Sequence, residues 1–571
     1  MEFVYVVPRE ALFPDCYPQG LVPFGGGDGE TDRAAFLERI EANGFFVERA
    51  YAERTPTLKQ VIPYTVVVSG DGGVFLTKRL PQGGESRLVG KLSIGIGGHI
   101  NPVDHGDIIA EGTARELEEE LESSHDINFG VALDLTVEPK DGEYEIAIGD
   151  QRQTMAVGEW SDFYELTFDL NPMLKIHGVT RLKLVSMEPE FRLFINTLDI
   201  APEAPPFWQE ITAPADYASE LASSGTFETY GWACMTMPFK DGEIEPELLL
   251  EDIEFTLKWR ERVTFDQLAR NDWQLFMSVF STPDRVQHMF YQYYDEGHPQ
   301  YDEAVANRTT TFFGEEIRLK DAIPKIFEQV DRVVGRVLDE VLQEGDVLLM
   351  CADHGLQSFR YQVHINNMLH QLGFLSLKEG ATVADAGSLT SFIDWKNTRA
   401  YAMGLGYIYL NLQGREKHGI VRPDEVEATV AELKQALLDW RDPVSGETVV
   451  ESVYVLSEEH TGEYIDIESD LVTGFKPFYR VSWKTNGGKY NMDEVDGAAV
   501  PGPVITDNTS PWSGGHPSMA EHQVRGLFFS SVPMDLPADG PNLLHIAPTV
   551  LDLLGVPVPE EMDKAPLKPA G

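Results

Sequence analysis

Downstream of residue 272 the apolar positions fall into two rhythms. Residues 275–280, Leu-Phe-Met-Ser-Val-Phe, form a short run apolar enough for a buried strand. Ile326, Phe327, Val330, Val333, Val334, Val337, Leu338, Val341 and Leu342 then recur at helical spacing, and Gly345 ends that helix. Residues 347–350 read as the next strand. Further amphipathic helices are expected over 424–440 and over 543–554, the latter stopped by Gly555 and Pro557. This alternation predicts an α/β domain with a mostly parallel sheet and covering helices. Upstream the texture is different. Residues 65–68 and 74–76 flank a Gly-Asp-Gly-Gly turn as a hairpin, 94–99 is a glycine-rich loop, and a helix follows over 107–121. Residues 129–137 alternate like a strand and 139–142 make a turn. The expected organisation is an α+β region over 1–137 and a larger domain over 138–571, with an inserted subdomain at about 375–500.

Composition narrows the class. The chain has 571 residues, 42% hydrophobic and 10% aromatic, enough for packed cores and against disorder as the main state. It carries 93 acidic and 45 basic residues, a net charge of -48. Such a field repels nucleic-acid backbones and anionic membranes, so neither is expected as a partner. Cys16, Cys234 and Cys351 form no CxxC pair, which argues against a disulfide framework or a thiolate zinc cluster. There is no basic segment leading into an apolar stretch at the start and no long apolar run, so a cytoplasmic location is expected. Gly25-Gly26-Gly27-Asp28-Gly29 lacks a following Lys-Ser/Thr and reads as a turn, not a phosphate-cradling loop.

The first candidate chemistry lies on the helix expected over 107–121. Glu116, Glu119 and Glu120 are three and four positions apart and share one face. Such a cluster is either a solvated acidic surface or a cation site, and oxygen-only donors suit Mg²⁺ or Mn²⁺. Together with Gln60-Val61-Ile62-Pro63-Tyr64, Gly84-Glu85-Ser86-Arg87-Leu88 and Ser93-Ile94-Gly95-Ile96-Gly97-Gly98-His99-Ile100, the run Arg115-Glu116-Leu117-Glu118-Glu119-Glu120 resembles a Nudix-type phosphoesterase over residues 1–137. The resemblance implies Glu119 and Glu120 as metal ligands, Glu116 beside them and Arg115 as their orienting partner. Glu122-Ser123 stands where that family places a Gly-apolar pair, so the region resembles an incomplete Nudix domain.

The second candidate is spread over the larger domain. Ser281-Thr282-Pro283-Asp284-Arg285-Val286-Gln287-His288 and Ala352-Asp353-His354-Gly355 each follow an expected strand, and Trp512-Ser513-Gly514-Gly515-His516 lies in a loop. Strand ends are where open α/β sheets gather their chemistry. Asp and His together form a donor set for zinc or manganese. In this order the motifs resemble the alkaline-phosphatase superfamily, and within it the type I phosphodiesterase/nucleotide pyrophosphatase branch, over about residues 138–565. Gly158-Glu159-Trp160-Ser161-Asp162, Leu193-Phe194-Ile195-Asn196, Arg399-Ala400-Tyr401-Ala402, Tyr409-Leu410-Asn411-Leu412 and residues 546–555 add to the likeness.

That resemblance implies two divalent metals, zinc or manganese. Asp284, His288 and His516 would hold the first, and Asp353 and His354 would contribute to the second. It also implies hydrolysis of a small phosphoester or nucleotide by an activated hydroxyl. The family's nucleophile-bearing segment is expected where this chain has Nudix-like sequence, so the nucleophile is not identified; Thr113 is the candidate. One tight metal and slow turnover are therefore expected. The large domain's sheet should lack a central strand or take one from residues 65–68. The other readings are a catalytically inactive, metal-retaining binding or regulatory protein, and Nudix-type diphosphate hydrolysis. Cys16-Tyr17-Pro18-Gln19-Gly20 lacks the arginine of a sulfatase motif. Oligomeric state is not legible at this level.

Overall fold

The computed structural model describes residues 3–13, 33–62 and 133–570, apart from 172–173, 207–208, 224, 230–233, 388–389, 463–464 and 496, together with 64–65, 77–78, 92–93, 96–97, 100 and 102. The helix expected over 107–121, and with it Thr113, Arg115, Glu116, Glu119 and Glu120, lies outside the described residues. Chain contacts define two compact units. One comprises residues 1–136, 147–149 and 167–175; the other comprises 137–146, 150–166 and 176–571.

In the first unit, Phe3–Pro8 is a central strand. It pairs antiparallel with Phe45–Glu48 on one side and Leu58–Gln60 on the other. Strand alternation sends Tyr5 and Val7 into one core with Leu12, Ile40 and Ile100, and Val4 and Val6 into another with Ala52. Both faces are covered, which is why the strand reads as an unbroken apolar run.

Two hydrophobic cores among the described residues of the second unit frame the site. The first packs the helices Pro246–Leu268, Thr282–Tyr294 and Ala322–Arg336. Val286, Met289 and Phe290 on the middle helix are fully buried. Each such side chain contributes roughly 1.5–3 kcal/mol through removal from water. The helix expected to run to residue 342 is α-helical to Arg336 and ends in a π-helical turn, Val337–Val341. Gly345 follows at φ 97°, a left-handed conformation that suits glycine.

The second core gathers residues from 363 to 505. Its sheet orders Ala400–Ala402, Tyr407–Leu410, Leu471–Phe475 and Val450–Val455, all antiparallel. The helix Val426–Asp439, expected over 424–440, buries Leu433 and Leu437 here. Mixed helices and strands agree with an α/β assignment. The expected mostly parallel sheet differs from the described ladders: Tyr361–Val363 with Tyr479–Val481 is the one parallel ladder among the described pairings.

Residues 275–280 depart furthest from expectation. They are not a strand, and among the described residues their backbone makes no hydrogen bond. Leu275, Met277 and Val279 are exposed, Met277 by 83%. The apolar run meets the local requirement for a buried strand, but a ladder needs a neighbour, and none of the described residues supplies it. Leu349–Cys351 is likewise paired on one side, with Phe528–Ser530.

His364 sits between the strand Tyr361–Val363 and the helix Ile365–Gln371. Burial, then the Lys484 charge, pushes its pKa down to about 3. The unfolded chain takes up a proton near pH 6.5 that the folded chain refuses. Stability is therefore complete above pH 6.5 and falls as pH drops toward 3. His364→Gln is expected to remove about 2 kcal/mol of the stability lost between pH 6.5 and pH 5, read from urea unfolding at the two pH values.

Candidate metal centre

The helix Thr282–Tyr294 opens with Pro283 in its first turn, where a missing N–H costs nothing. Asp284 follows in the same turn, favoured there by the helix dipole. His288 lies one turn on, on the same face, with Nε2 3.3 Å from Asp284 Oδ1. Sequence placed Asp284 directly after a strand; it belongs to a helix start.

The second segment follows the strand Leu349–Cys351. Gly355 lets the chain pass close to the 524–525 backbone, since a Cβ there would lie 2.5 Å from the Arg525 carbonyl oxygen. The third segment is anchored to the helix: Ser513 donates its N–H to the His288 carbonyl at 2.7 Å. A Cβ on Gly514 would run into the Gln287 carbonyl, so only glycine admits this approach.

These three segments bring together residues more than two hundred positions apart. Asp284, His354 and His516 each offer a donor atom, and all three atoms lie within 4.8 Å of one another. The His354 and His516 rings stack with centroids 3.5 Å apart. His288 is next to them, its centroid 5.4 Å from that of His516 and 4.4 Å from Trp512. Asp353 Oδ2 is 3.3 Å from His354 Nε2, while its side chain is 81% exposed. Three of the five expected residues thus converge, while His288 reaches them through Asp284 and Asp353 only through His354. The tightest donor group crosses the two ligand sets that the resemblance implied, taking His354 with Asp284 and His516.

Hydrogen bonds fix two of the imidazoles. His288 Nδ1 lies 2.8 Å from the Gly514 carbonyl, and His354 Nδ1 lies 3.0 Å from the Gly355 carbonyl. A carbonyl oxygen only accepts, so in both rings Nδ1 carries the hydrogen. In the neutral rings Nε2 is then a bare lone pair, 3.3 Å from a carboxylate oxygen. Two acceptors at that distance repel unless a proton or a metal cation joins them. A backbone carbonyl that holds the far nitrogen is the usual support of a metal-bound histidine, so the residues present fit a divalent ion.

Electrostatics agree. His516 has its pKa pushed down to about 3 by burial above all, and further by any positive charge on the neighbouring His354 and His288 rings, so its ring is neutral and able to donate a lone pair. Burial works to raise the Asp284 pKa, but His288, whenever its ring is protonated and donates, and the Arg285 guanidinium hold it below the ordinary carboxylate value. Arg285 donates to its other oxygen, Oδ2, at 2.6 Å. Among the described residues no serine or threonine hydroxyl hydrogen-bonds to Asp353 or His354.

The chain belongs to the type I phosphodiesterase / nucleotide pyrophosphatase family, whose model it matches over residues 181–477, more than half its length. This is a family of phosphoester hydrolases, typically dependent on divalent metals and acting on small nucleotide or phosphoester substrates. Asp284, His288, Asp353 and His354 fall inside the matched span, and His516 lies beyond it. Protein YmaB of Bacillus subtilis (strain 168) is 38% identical over 154 residues, covering 26% of this chain and 72% of YmaB. The solved structure of Tm1382, provisionally described as a Nudix hydrolase, is 28% identical with a TM-score of 0.16, covering 24% of this chain. This chain spans 62% of the length of Tm1382. Among the described residues no helix is long and apolar enough to cross a membrane.

Proposed function

We propose that this chain hydrolyses small phosphodiesters or nucleotide pyrophosphates at a divalent-metal centre built by Asp284, His354 and His516. The reading rests on one observation: two histidines with Nδ1 held by backbone carbonyls turn Nε2 toward a carboxylate oxygen 3.3 Å away, the arrangement in which a shared divalent cation joins the two. His288 and Asp353 complete the donor set around the three, and zinc or manganese suits their mixed N and O chemistry. A bound divalent ion supplies Lewis-acid stabilisation of the charge on phosphoryl oxygens. The chain's own share is to hold Asp284 ionised, His516 neutral and the imidazoles in one tautomer. Residues 138–571 form the phosphodiesterase domain in this reading. Residues 1–137 form the Nudix-like region, with Glu116, Glu119 and Glu120 as an Mg²⁺ or Mn²⁺ site oriented by Arg115.

A second reading, a metal-retaining binding protein without turnover, is favoured by the lack of a hydroxyl bonded to Asp353 or His354 among the described residues. A panel of bis(p-nitrophenyl) phosphate, p-nitrophenyl phosphate and a dinucleoside polyphosphate separates the readings. The expected result is slow diester hydrolysis, stopped by a chelator and restored by zinc or manganese. No turnover by metal-loaded protein supports the second reading. Dinucleotide cleavage that needs Mg²⁺ and survives His354→Ala would transfer the activity to the N-terminal carboxylates.

A further inference from the structure

Arg480 lies on the strand Tyr479–Val481 and is 3% exposed. The other deeply placed guanidinium groups of this unit have carboxylate partners: Arg181 has Glu228 and Asp252, Arg360 has Asp295, and Arg415 has Asp470. Arg480 has none among the described residues. Its Nε makes no hydrogen bond, and its Nη1 donates only to the neighbouring Val481 carbonyl, at 3.3 Å. Two rings flank it, with the guanidinium carbon 4.5 Å from the Trp483 centroid and 5.0 Å from that of Phe359. Cation–π contact recovers part of the cost of burying this charge, but it supplies no counter-ion.

The Arg480 stem passes against Gly515, the residue before His516. A Cβ on Gly515 would lie 2.8 Å from Arg480 Cδ and 3.3 Å from its Nε. Gly515 is therefore the opening that lets the guanidinium stem pass directly behind the His516 backbone. A fixed cation beside a site that gathers a divalent cation is electrostatically unfavourable for the metal. It becomes favourable once an anion occupies the same site, because a low-dielectric setting strengthens that attraction.

We infer that Arg480 is a positioning residue for the anion, a buried counter-charge that raises the affinity of the metal centre for a phosphate or phosphoester group. This rests on the phosphodiesterase reading above. It carries a sign that a purely structural role lacks. Removing the charge should weaken anion binding and leave cation binding equal or tighter, whereas loosening the fold weakens both.

The test uses the full chain and inorganic phosphate as probe, with Mn²⁺ titrated first and phosphate second, by calorimetry. Arg480→Met keeps the length and apolar stem and removes the charge. It is expected to bind Mn²⁺ no more weakly than wild type and phosphate at least about tenfold more weakly, the scale of one lost charge interaction in a dry site. Arg480→Lys keeps the charge and is expected to stay within about threefold of wild type for phosphate. Unchanged phosphate affinity in Arg480→Met would overturn the inference. So would parallel loss of Mn²⁺ and phosphate binding in both variants. If the wild-type chain takes up no Mn²⁺, the metal-centre reading fails on its own. Phosphate titrated onto the metal-free chain then carries the test, with the same tenfold difference expected.

Discussion

His516→Ala is expected to release the metal from the purified chain and to abolish diester hydrolysis, while Glu120→Ala leaves both unchanged. His516 is one of three donors that converge within 4.8 Å. Removing a group that merely supports a metal ligand costs about 10–100-fold in affinity, and removing a ligand itself costs more. Activity follows the metal, because each 1.36 kcal/mol lost from transition-state stabilisation is about tenfold in rate. His516 is half-buried, and its ring packs on His354 and His288 and no large apolar cluster, so the alanine variant should fold. Circular dichroism and thermal melting confirm that, and a folded variant with undiminished metal and activity would contradict the assignment.

Arg181→Ala is expected to destabilise the chain by about 3–5 kcal/mol, the cost of leaving buried carboxylates uncompensated. Arg181 Nη2 lies 2.9 Å from both Glu228 Oε1 and Asp252 Oδ1, and its guanidinium carbon is 3.5 Å from the Phe255 centroid. Asp252 is fully buried. Burial, then the Glu228 charge, pushes its pKa up to about 7 against the pull of Arg181. The folded chain thus holds a proton that the unfolded chain loses near pH 4. The stability this group contributes is present at low pH and is lost as pH rises through 7. Without Arg181 the carboxyl rises further, so the deficit in urea unfolding should be deeper at pH 8 than at pH 5. An equal deficit at both pH values would show that the loss is packing against Phe255 and not charge.

Local patterns were legible where local physics decides. The amphipathic runs read over 326–342 and 424–440 are helical over 322–341 and 426–439, because their apolar stripes reach cores formed with neighbouring elements. The Asp-His-Gly segment follows its strand because Gly355 admits a backbone crossing that no other residue allows. The apolar run at 275–280 reads as a buried strand for the same local reason, but strand formation needs a partner, and sequence does not say whether one arrives. The five donors could be picked out by type and order. Their partition could not, because whether His288 or His354 joins Asp284 and His516 depends on how the loop 512–516 lies over the helix. Arg480 carried no sequence signal. It stands outside the motifs, and its meaning comes only from the glycine it passes and the carboxylates it lacks.

Elemental analysis of the purified wild-type chain beside His516→Ala tests the metal centre most directly. About one tightly held zinc or manganese is expected per wild-type chain, as three protein donors can retain, and its loss is expected from the variant. A wild-type chain that keeps no metal after loading and desalting, or a variant that keeps as much as wild type, would contradict it.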